Sequence, residues 1–296
     1  MATREEMQRA ILAARALSYT NQGKETIIPA DKLKEKFTFF LGFQPSGISS
    51  ENIGLLDNRV LITNYYAPAV CISNVFEDEQ GLRFQHSWVR GVNHGVCSVR
   101  LFPDTPPGDN NRAICAFFDV NGNLLALRNA DRIFYLHTPP KENGGRWTLS
   151  NKINVPERSN EVMWVESVAC DPISGTLYTI ESNEVNYSRL RSYAGNNVLK
   201  PTQLDFSLPV SMYGIGIHAG KLWFVTDFRS EAKHGIYSWQ EGDVELKLVI
   251  PEVCGSGIAF LKNGSALVPE YGESRPGPLG GGEPGSLTYF PVSMFK

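Results

Sequence analysis

The sequence predicts an all-β chain built on a repeated hairpin, and three observations predict it. Helix-period patterning is confined to the first residues and then vanishes. Short apolar runs follow, punctuated by turn residues from a pool of 27 Gly and 18 Pro. One hairpin template recurs: a small residue, alternating apolar residues, a turn rich in Asp, Asn and Gly, then four apolar residues ending in a polar one. The matched leucines of the second strands are Leu61, Leu125, Leu177, Leu222 and Leu267, which makes most units about 45 residues long. A hairpin followed by further strands at that period is one four-stranded propeller blade. Tandem sandwiches do not repeat the same turn chemistry at a fixed spacing. The expected fold is a single β-propeller of five or six blades with a short N-terminal helix.

The elements follow in order. Residues 2–17 favour a helix, with Met7, Ala10, Ile11 and Ala14 on one face and Glu5 and Arg9 opposite. Residues 1–36 read as this helical segment plus a linker, and residues 37–296 as the propeller domain. FTFFLGF (37–43) is expected to close the ring by pairing with the last blade. The first copy reads ENIGLLDNRVLITN (51–64), with Glu51 opening its first strand. The longer gap to the second copy leaves room for a degenerate sixth blade around SWVRGVNHGVCSVRLF (87–102). The next copies are AICAFFDVNGNLLALRN (113–129), ESVACDPISGTLYTIES (166–182), YGIGIHAGKLWFVTD (213–227) and the looser SGIAFLKNGSALVPEY (256–271). Third strands follow as RIFYLH, LRSYAG, GIYSWQ and SLTYF.

Composition narrows the function classes. The chain is 42% hydrophobic and 11% aromatic, enough for a packed core. Its net charge is −3 and its Lys and Arg are scattered, so nucleic acid is not the expected partner. No apolar run reaches membrane-spanning length, so no membrane partner is expected either. The start, MATREEMQRAILAARAL, lacks the apolar core of a secretory signal, which places the protein in the cytoplasm. It would be secreted only if a leader had been removed; Asn186-Tyr187-Ser188 and Asn263-Gly264-Ser265 would then be glycosylation triplets. The five cysteines form no CxxC, so neither a zinc site nor a thioredoxin motif is indicated. There is no GxGxxG opening a helix, no GxxxxGK[ST], no HExxH and no GxSxG. A monomer or homodimer acting on a small molecule, without a cofactor, is the expectation.

In a propeller blade, the residues just before the first strand and just after the second meet at one mouth of the central channel. The first set is Glu51, Ile114, Glu166, Tyr213 and Ser256; the second is Asn64, Arg128, Glu181, Asp227 and Glu270. Sugar-binding propellers repeat their ligand residues in every blade. The divergence here points to one asymmetric central site. Glu166, beside Trp164 and Val165, reads as a partly desolvated carboxyl for general acid/base work, or as a carboxylate accepting backbone N–H groups at a blade junction. Glu51 has the same two readings. Tyr213 reads as a phenol that polarises a carbonyl or holds an oxyanion, or as a tyrosine that simply lines the channel. His94, in an irregular insertion, reads as a proton shuttle or a surface histidine. Arg128 pairs with an anionic group on a substrate or with a neighbouring Asp. Asp227 reads as a blade-to-blade bonding residue or, with Ser256, as part of the candidate binding set, and Trp88 and Trp164 read as inter-blade core or aromatic lining. The stretch GESRPGPLGGGEPG (272–285) reads as a lid or a surface loop.

The pattern x-G-I-A-F-x-x-x-G-x-L-x-V-x-D…G-I-Y resembles the blades of a six-bladed propeller superfamily. That superfamily holds regucalcin and gluconolactonase, strictosidine synthase and paraoxonase. Gly214-Ile215-Gly216-Ile217, the run Gly220 to Asp227, Asp171-Pro172 with Gly175, and Asp119 with Gly122 carry the resemblance, which spans most of residues 50–290. It implies six blades and a site at the channel mouth; fold alone does not fix activity. Regucalcin-like lactonases hold a divalent metal there with Glu, Asn and Asp, and the corresponding positions are Glu51, Glu166 and Tyr213. One ligand is kept, a second is another oxygen donor, and Tyr replaces Asp. Strictosidine synthase-like members use a glutamate in a metal-free cavity. The resemblance thus implies redox-neutral, metal-independent acid/base chemistry of cyclase, lyase, addition or condensation type in specialised metabolism. Its alternatives are a metal-dependent lactone hydrolase holding Ca²⁺ or Zn²⁺ through Glu51 and Glu166, and a non-enzymatic ligand- or protein-binding propeller.

Overall fold

The computed structural model describes residues 25–40, 45–50, 58–64, 69–90, 114–130, 133–138, 148–154, 164–182, 188–194, 200–208, 211–226, 233–270 and 286–295. Two strands come first, β1 (Glu25–Pro29) and β2 (Phe37–Phe40), with a 3-10 helix (Ala30–Lys34) between them. β3 (Pro45–Ser50), β4 (Asn58–Asn64), β5 (Ala69–Asp78) and β6 (Gly81–Arg90) then run as an antiparallel meander, blade one. β1 pairs with β6 and adds a fifth strand to its outer edge.

Blade two is β7 (Ile114–Phe118), β8 (Leu124–Ala130), β9 (Ile133–Thr138) and β10 (Thr148–Asn154). Blade three is β11 (Trp164–Cys170), β12 (Leu177–Ser182), β13 (Ser188–Ala194) and β14 (Lys200–Leu208). Blade four is β15 (Met212–His218), β16 (Lys221–Thr226), β17 (Gly235–Trp239) and β18 (Lys247–Pro251). Blade five is β19 (Ala259–Phe260), β20 (Ala266–Val268) and β21 (Ser286–Phe290), completed by β2 from the start of the chain.

The first strands of these sheets touch in sequence. β3 meets β7, β7 meets β11, β11 meets β15, β15 meets β19, and β19 returns to β3. The described residues therefore form a closed ring of five blades, a β-propeller. Five is the lower of the two expected blade numbers and departs from the six that the family resemblance implies. Of the stretch expected to hide a sixth blade, residues 87–90 are instead the end of β6, and the rest lies outside the described residues.

The hairpin turns are built as the template predicts. Asp119 Oδ1 accepts from the backbone N–H of Asn121 (2.9 Å) and Asn123 (2.8 Å), and Gly122 takes the left-handed conformation at φ 73°. Asp171 accepts from Ile173 N (2.9 Å) and Ser174 Oγ (2.7 Å), with Gly175 at φ 71°. Period-2 alternation buries opposite faces of each blade against its two neighbours. Phe117, Leu127, Val165, Val168 and Tyr193 fill the space between blades two and three. Ile180, Leu190, Ile215 and Phe224 do so between three and four, and Trp223, Val225, Ile258 and Phe260 between four and five. Ile28, Ile48, Ile62, Phe84, Leu267 and Tyr289 join blades five and one. Each fully buried side chain of this size contributes about 1.5–3 kcal/mol.

Ring closure follows the expectation for residues 37–43. Phe37 to Phe40 pair with Tyr289 to Ser286, and Phe37 packs its ring 5.5 Å from Tyr289. The expected linker before residue 37 is different. Its ETIIP segment is β1, because Ile28 alternates inward to complete burial in the core between blades five and one. The helix expected at 2–17 lies outside the described residues. Among the described residues, no helix is long and apolar enough to cross a membrane.

Candidate functional site

One departure from regular pairing recurs at the same level of the inner strands. Register slips by one residue between Pro45 and Gly47 on β3, between Val165 and Ser167 on β11, and between Met212 and Gly214 on β15. In blade five, Ala259 pairs with Leu267 whereas Gly255 pairs with Glu270, so four steps of one strand are matched by three of the other. Each slip is a β-bulge, and the extra residues are Ser46, Glu166, Tyr213 and, by the shared tripeptide pattern, Ser256.

On β11 and β15 the residues flanking the bulge face opposite neighbouring blades. Val165 packs into the core shared with blade two. Ser167 faces blade four, where its Oγ accepts from the backbone N–H of Ile215 at 3.2 Å. Glu166 is the extra residue between them. On β15, Met212 packs toward blade three, while a Cβ on Gly214 would meet blade five. Tyr213 is again the extra residue. Both Glu166 and Tyr213 are half-buried, and the Ser167–Ile215 bond holds their strands at one level.

Glycines set how closely the inner strands converge. A Cβ on Gly214 would lie 2.4 Å from the Cα of Gly257, and one on Gly257 would lie 2.8 Å from the backbone N of Ile48. Blades four, five and one thus meet backbone to backbone directly beside the bulges. Ser256 is 4% exposed, and among the described residues its Oγ has no hydrogen-bond partner.

Glu181, on the second strand of blade three, is buried at 1% exposure. Its carboxylate accepts from Thr179 Oγ1 (2.9 Å), from the Tyr193 hydroxyl (2.7 Å) and from Arg191. Arg191 Nε faces Asp205 at 3.5 Å without hydrogen-bond geometry. Burial lowers the Arg191 pKa, but the charges of Glu181 and Asp205 outweigh it and hold the guanidinium firmly protonated. This carboxylate is part of the blade wall. At the mouth end of blade five, Lys36 donates to Glu270 at 2.9 Å and lies 4.9 Å from the centre of the Phe290 ring.

The other expected site residues fall as follows. The first strand of blade one is Pro45–Ser50, so Glu51 follows that strand instead of opening it, and lies outside the described residues. Ser46 takes the position expected for Glu51. The decoy arose because ENIGLL imitates the template, whereas PSGISS is small and polar. The tripeptides Ser46-Gly47-Ile48, Tyr213-Gly214-Ile215 and Ser256-Gly257-Ile258 were the signal that would have found it. Trp164 opens β11, opposite Ser182. Trp88 lies on β6, the fourth strand of its blade, two strands removed from the channel wall. Arg128 sits on β8 opposite Ile114. His94, Asp227 and residues 272–285 lie outside the described residues. Among the described residues, no three His, Cys, Asp or Glu side chains cluster closely enough to hold a metal ion. Cys71, Cys170 and Cys254 are free thiols, and burial pushes Cys71 and Cys170 up to about 12.

No family model matches the chain, and no curated protein matches it. Among solved structures it is similar to a candidate 6-phosphogluconolactonase from Bacteroides uniformis, at 13% identity and a TM-score of 0.41. That match covers 76% of this chain and 63% of the other, so the chain spans less than two thirds of that protein's length. A catalytically inactive variant of virginiamycin B lyase from Staphylococcus aureus, with quinupristin, matches at 12% identity and a TM-score of 0.43, covering 91% and 88% of the two chains. A candidate glucose dehydrogenase from Thermus thermophilus matches at 12% identity and a TM-score of 0.41, covering 90% and 99%. At these values the likeness bears on no residue or activity of this chain.

Proposed function

We propose that the chain is a small-molecule enzyme whose site lies where the bulges present Glu166 and Tyr213 to the channel. The observation that carries this reading is the bulge repeated at one level of four inner strands. It spends regular pairing to aim chemically different residues at one place, which bulges beside active sites do. Glu166 is the general acid/base: half-buried on a rigid strand, it moves a proton to or from a substrate seated against it. Tyr213, on the adjacent strand, donates toward oxygen on that substrate as charge develops. The chemistry is redox-neutral, of cyclase, addition or condensation type, and needs no metal.

The lactone hydrolase reading relies on Glu51 beside Glu166. With Ser46 in that register, its second carboxylate is not at the strand position it requires.

The test is turnover of a panel of neutral cyclic and polycyclic carbonyl compounds, followed by mass spectrometry, with wild type and Glu166→Gln side by side. Glu166→Gln is expected to lower turnover by roughly 10²–10⁴-fold with an unchanged circular dichroism spectrum. Unchanged turnover on a true substrate would end the acid/base assignment. About one tightly held Ca²⁺ or Zn²⁺ per chain, found by elemental analysis and needed for turnover, would move the assignment to the hydrolase.

A further inference from the structure

We infer that Ser256 is a ligand-binding residue whose hydroxyl donates a hydrogen bond to the carbonyl oxygen of a neutral molecule lying against Tyr213. This rests on the channel-mouth reading above and names the substrate class. The side chain is 4% exposed and its Oγ has no partner among the described residues. Folded proteins pair nearly all such groups, because a buried unpaired hydroxyl is costly. Its backbone is not the reason for its position: Ser256 N already donates to Pro269 O at 3.1 Å. What remains is a hydroxyl kept at a loss to stability, at the level where the neighbouring strand presents Tyr213.

The residue after Tyr213 and the residue after Ser256 are both glycines, and a Cβ on Gly214 would fall 2.4 Å from Gly257 Cα. The strands approach as closely as backbone allows, so the bulged residues that precede those glycines stand side by side. Further around, Gly257 abuts Ile48, which puts the Ser46 position next in the ring. The mouth positions on consecutive inner strands are then Glu166, Tyr213, Ser256, Ser46 and Ile114. None of these five is cationic, Glu166 repels an anion, and Lys36 nearby is already paired with Glu270, which together favour a neutral ligand over a phosphate or a carboxylate. A hydroxyl beside a phenol favours an acceptor with two lone pairs, which a carbonyl oxygen supplies. The bond strengthens if negative charge builds on that oxygen while Glu166 takes a proton.

The test uses the full chain with cyclohexanone and δ-valerolactone as probes. Tetrahydrothiopyran, a ring of similar size with only a weak acceptor, is the control. Binding is titrated by ligand-detected NMR, and the C=O stretch of bound cyclohexanone is read by infrared difference spectroscopy. Ser256→Ala is expected to weaken both carbonyl probes roughly fivefold, to leave the control unchanged, and to move the bound C=O stretch back toward its value in apolar solvent. Its Tm in the absence of ligand is expected to hold or rise by about 2 °C, since an unpaired group is removed. A fall of several degrees would reveal a structural role and overturn the proposal. Carbonyl binding that ignores Ser256→Ala but responds to Tyr213→Phe would overturn the Ser256 assignment and leave the mouth reading standing. Binding indifferent to Ser256→Ala, Tyr213→Phe and Glu166→Gln alike would overturn both. No carbonyl binding by wild type would overturn the substrate class.

Discussion

His86 sits at the outer side of blade one, where it ties three strands together. Its Nδ1 shares a 2.6 Å hydrogen bond with Ser73 Oγ on β5, and its Nε2 shares one of 2.9 Å with Thr26 Oγ1 on β1. Cys71 Sγ lies 3.6 Å from the same Nδ1. Burial pulls the His86 pKa from 6.5 down to about 4. No thiolate offsets this, because Cys71 is pushed up to about 12. The folded state therefore stays unprotonated while the unfolded chain takes up a proton below pH 6.5. Stability present above pH 6.5 is lost as pH falls toward 4 and then levels off, by on the order of 3 kcal/mol in all. Urea unfolding at pH 7 and pH 4.5 should show that loss in wild type and a clearly smaller one in His86→Gln. Equal losses would mean that His86 is not the group responsible.

Two strand-level features hold the wall of the candidate site in place. The first is the network on β12, β13 and β14, where Glu181 is buried and depends on Arg191, Tyr193 and Thr179. Arg191→Leu leaves that carboxylate without its charge partner and is expected to cost about 3–5 kcal/mol by urea denaturation, whereas Arg191→Leu with Glu181→Leu should recover much of it. The second is the close approach of β15 to blade five. Gly214→Ala drives a Cβ into Gly257 backbone, which no rotamer relieves, and is expected to cost more than about 2 kcal/mol by the same measurement. Much of this architecture was legible in the sequence. Asp119, Asp171 and their glycines announce the turns because turn geometry is local. Phe37 and Phe39 announce a strand that the last blade lacks. The bulges were not legible, because one extra residue in an alternating strand is visible only against its partner. That is why the hairpin template points to Glu51 and passes over Ser46, the extra residue of β3. β1 was missed because five residues with two isoleucines do not stand out from a linker.

A propeller is a ring, so its integrity rests on one seam. Here β2, near the start of the chain, is the outer strand of blade five, next to β21 at the far end. Every other blade is a local meander apart from the added strand β1 of blade one, and the seam is the strand pairing with the greatest sequence separation and the largest loop-closure cost. Thr38 and Thr288 face each other directly across it, their hydroxyls 3.0 Å apart. Cross-strand neighbours of this kind have Cβ atoms near disulfide range. Replacing both by Cys should let a bond form between them. It would close a loop of about 250 residues and constrain the unfolded chain by up to roughly 5 kcal/mol. The oxidised Thr38→Cys, Thr288→Cys protein should melt about 5–10 °C above its own reduced form in calorimetry, with the reduced form near wild type. If opening of the seam is the step that leads to global unfolding, the crosslink should also slow unfolding in denaturant. A raised Tm with an unchanged unfolding rate would instead show that the ring opens first between two other blades.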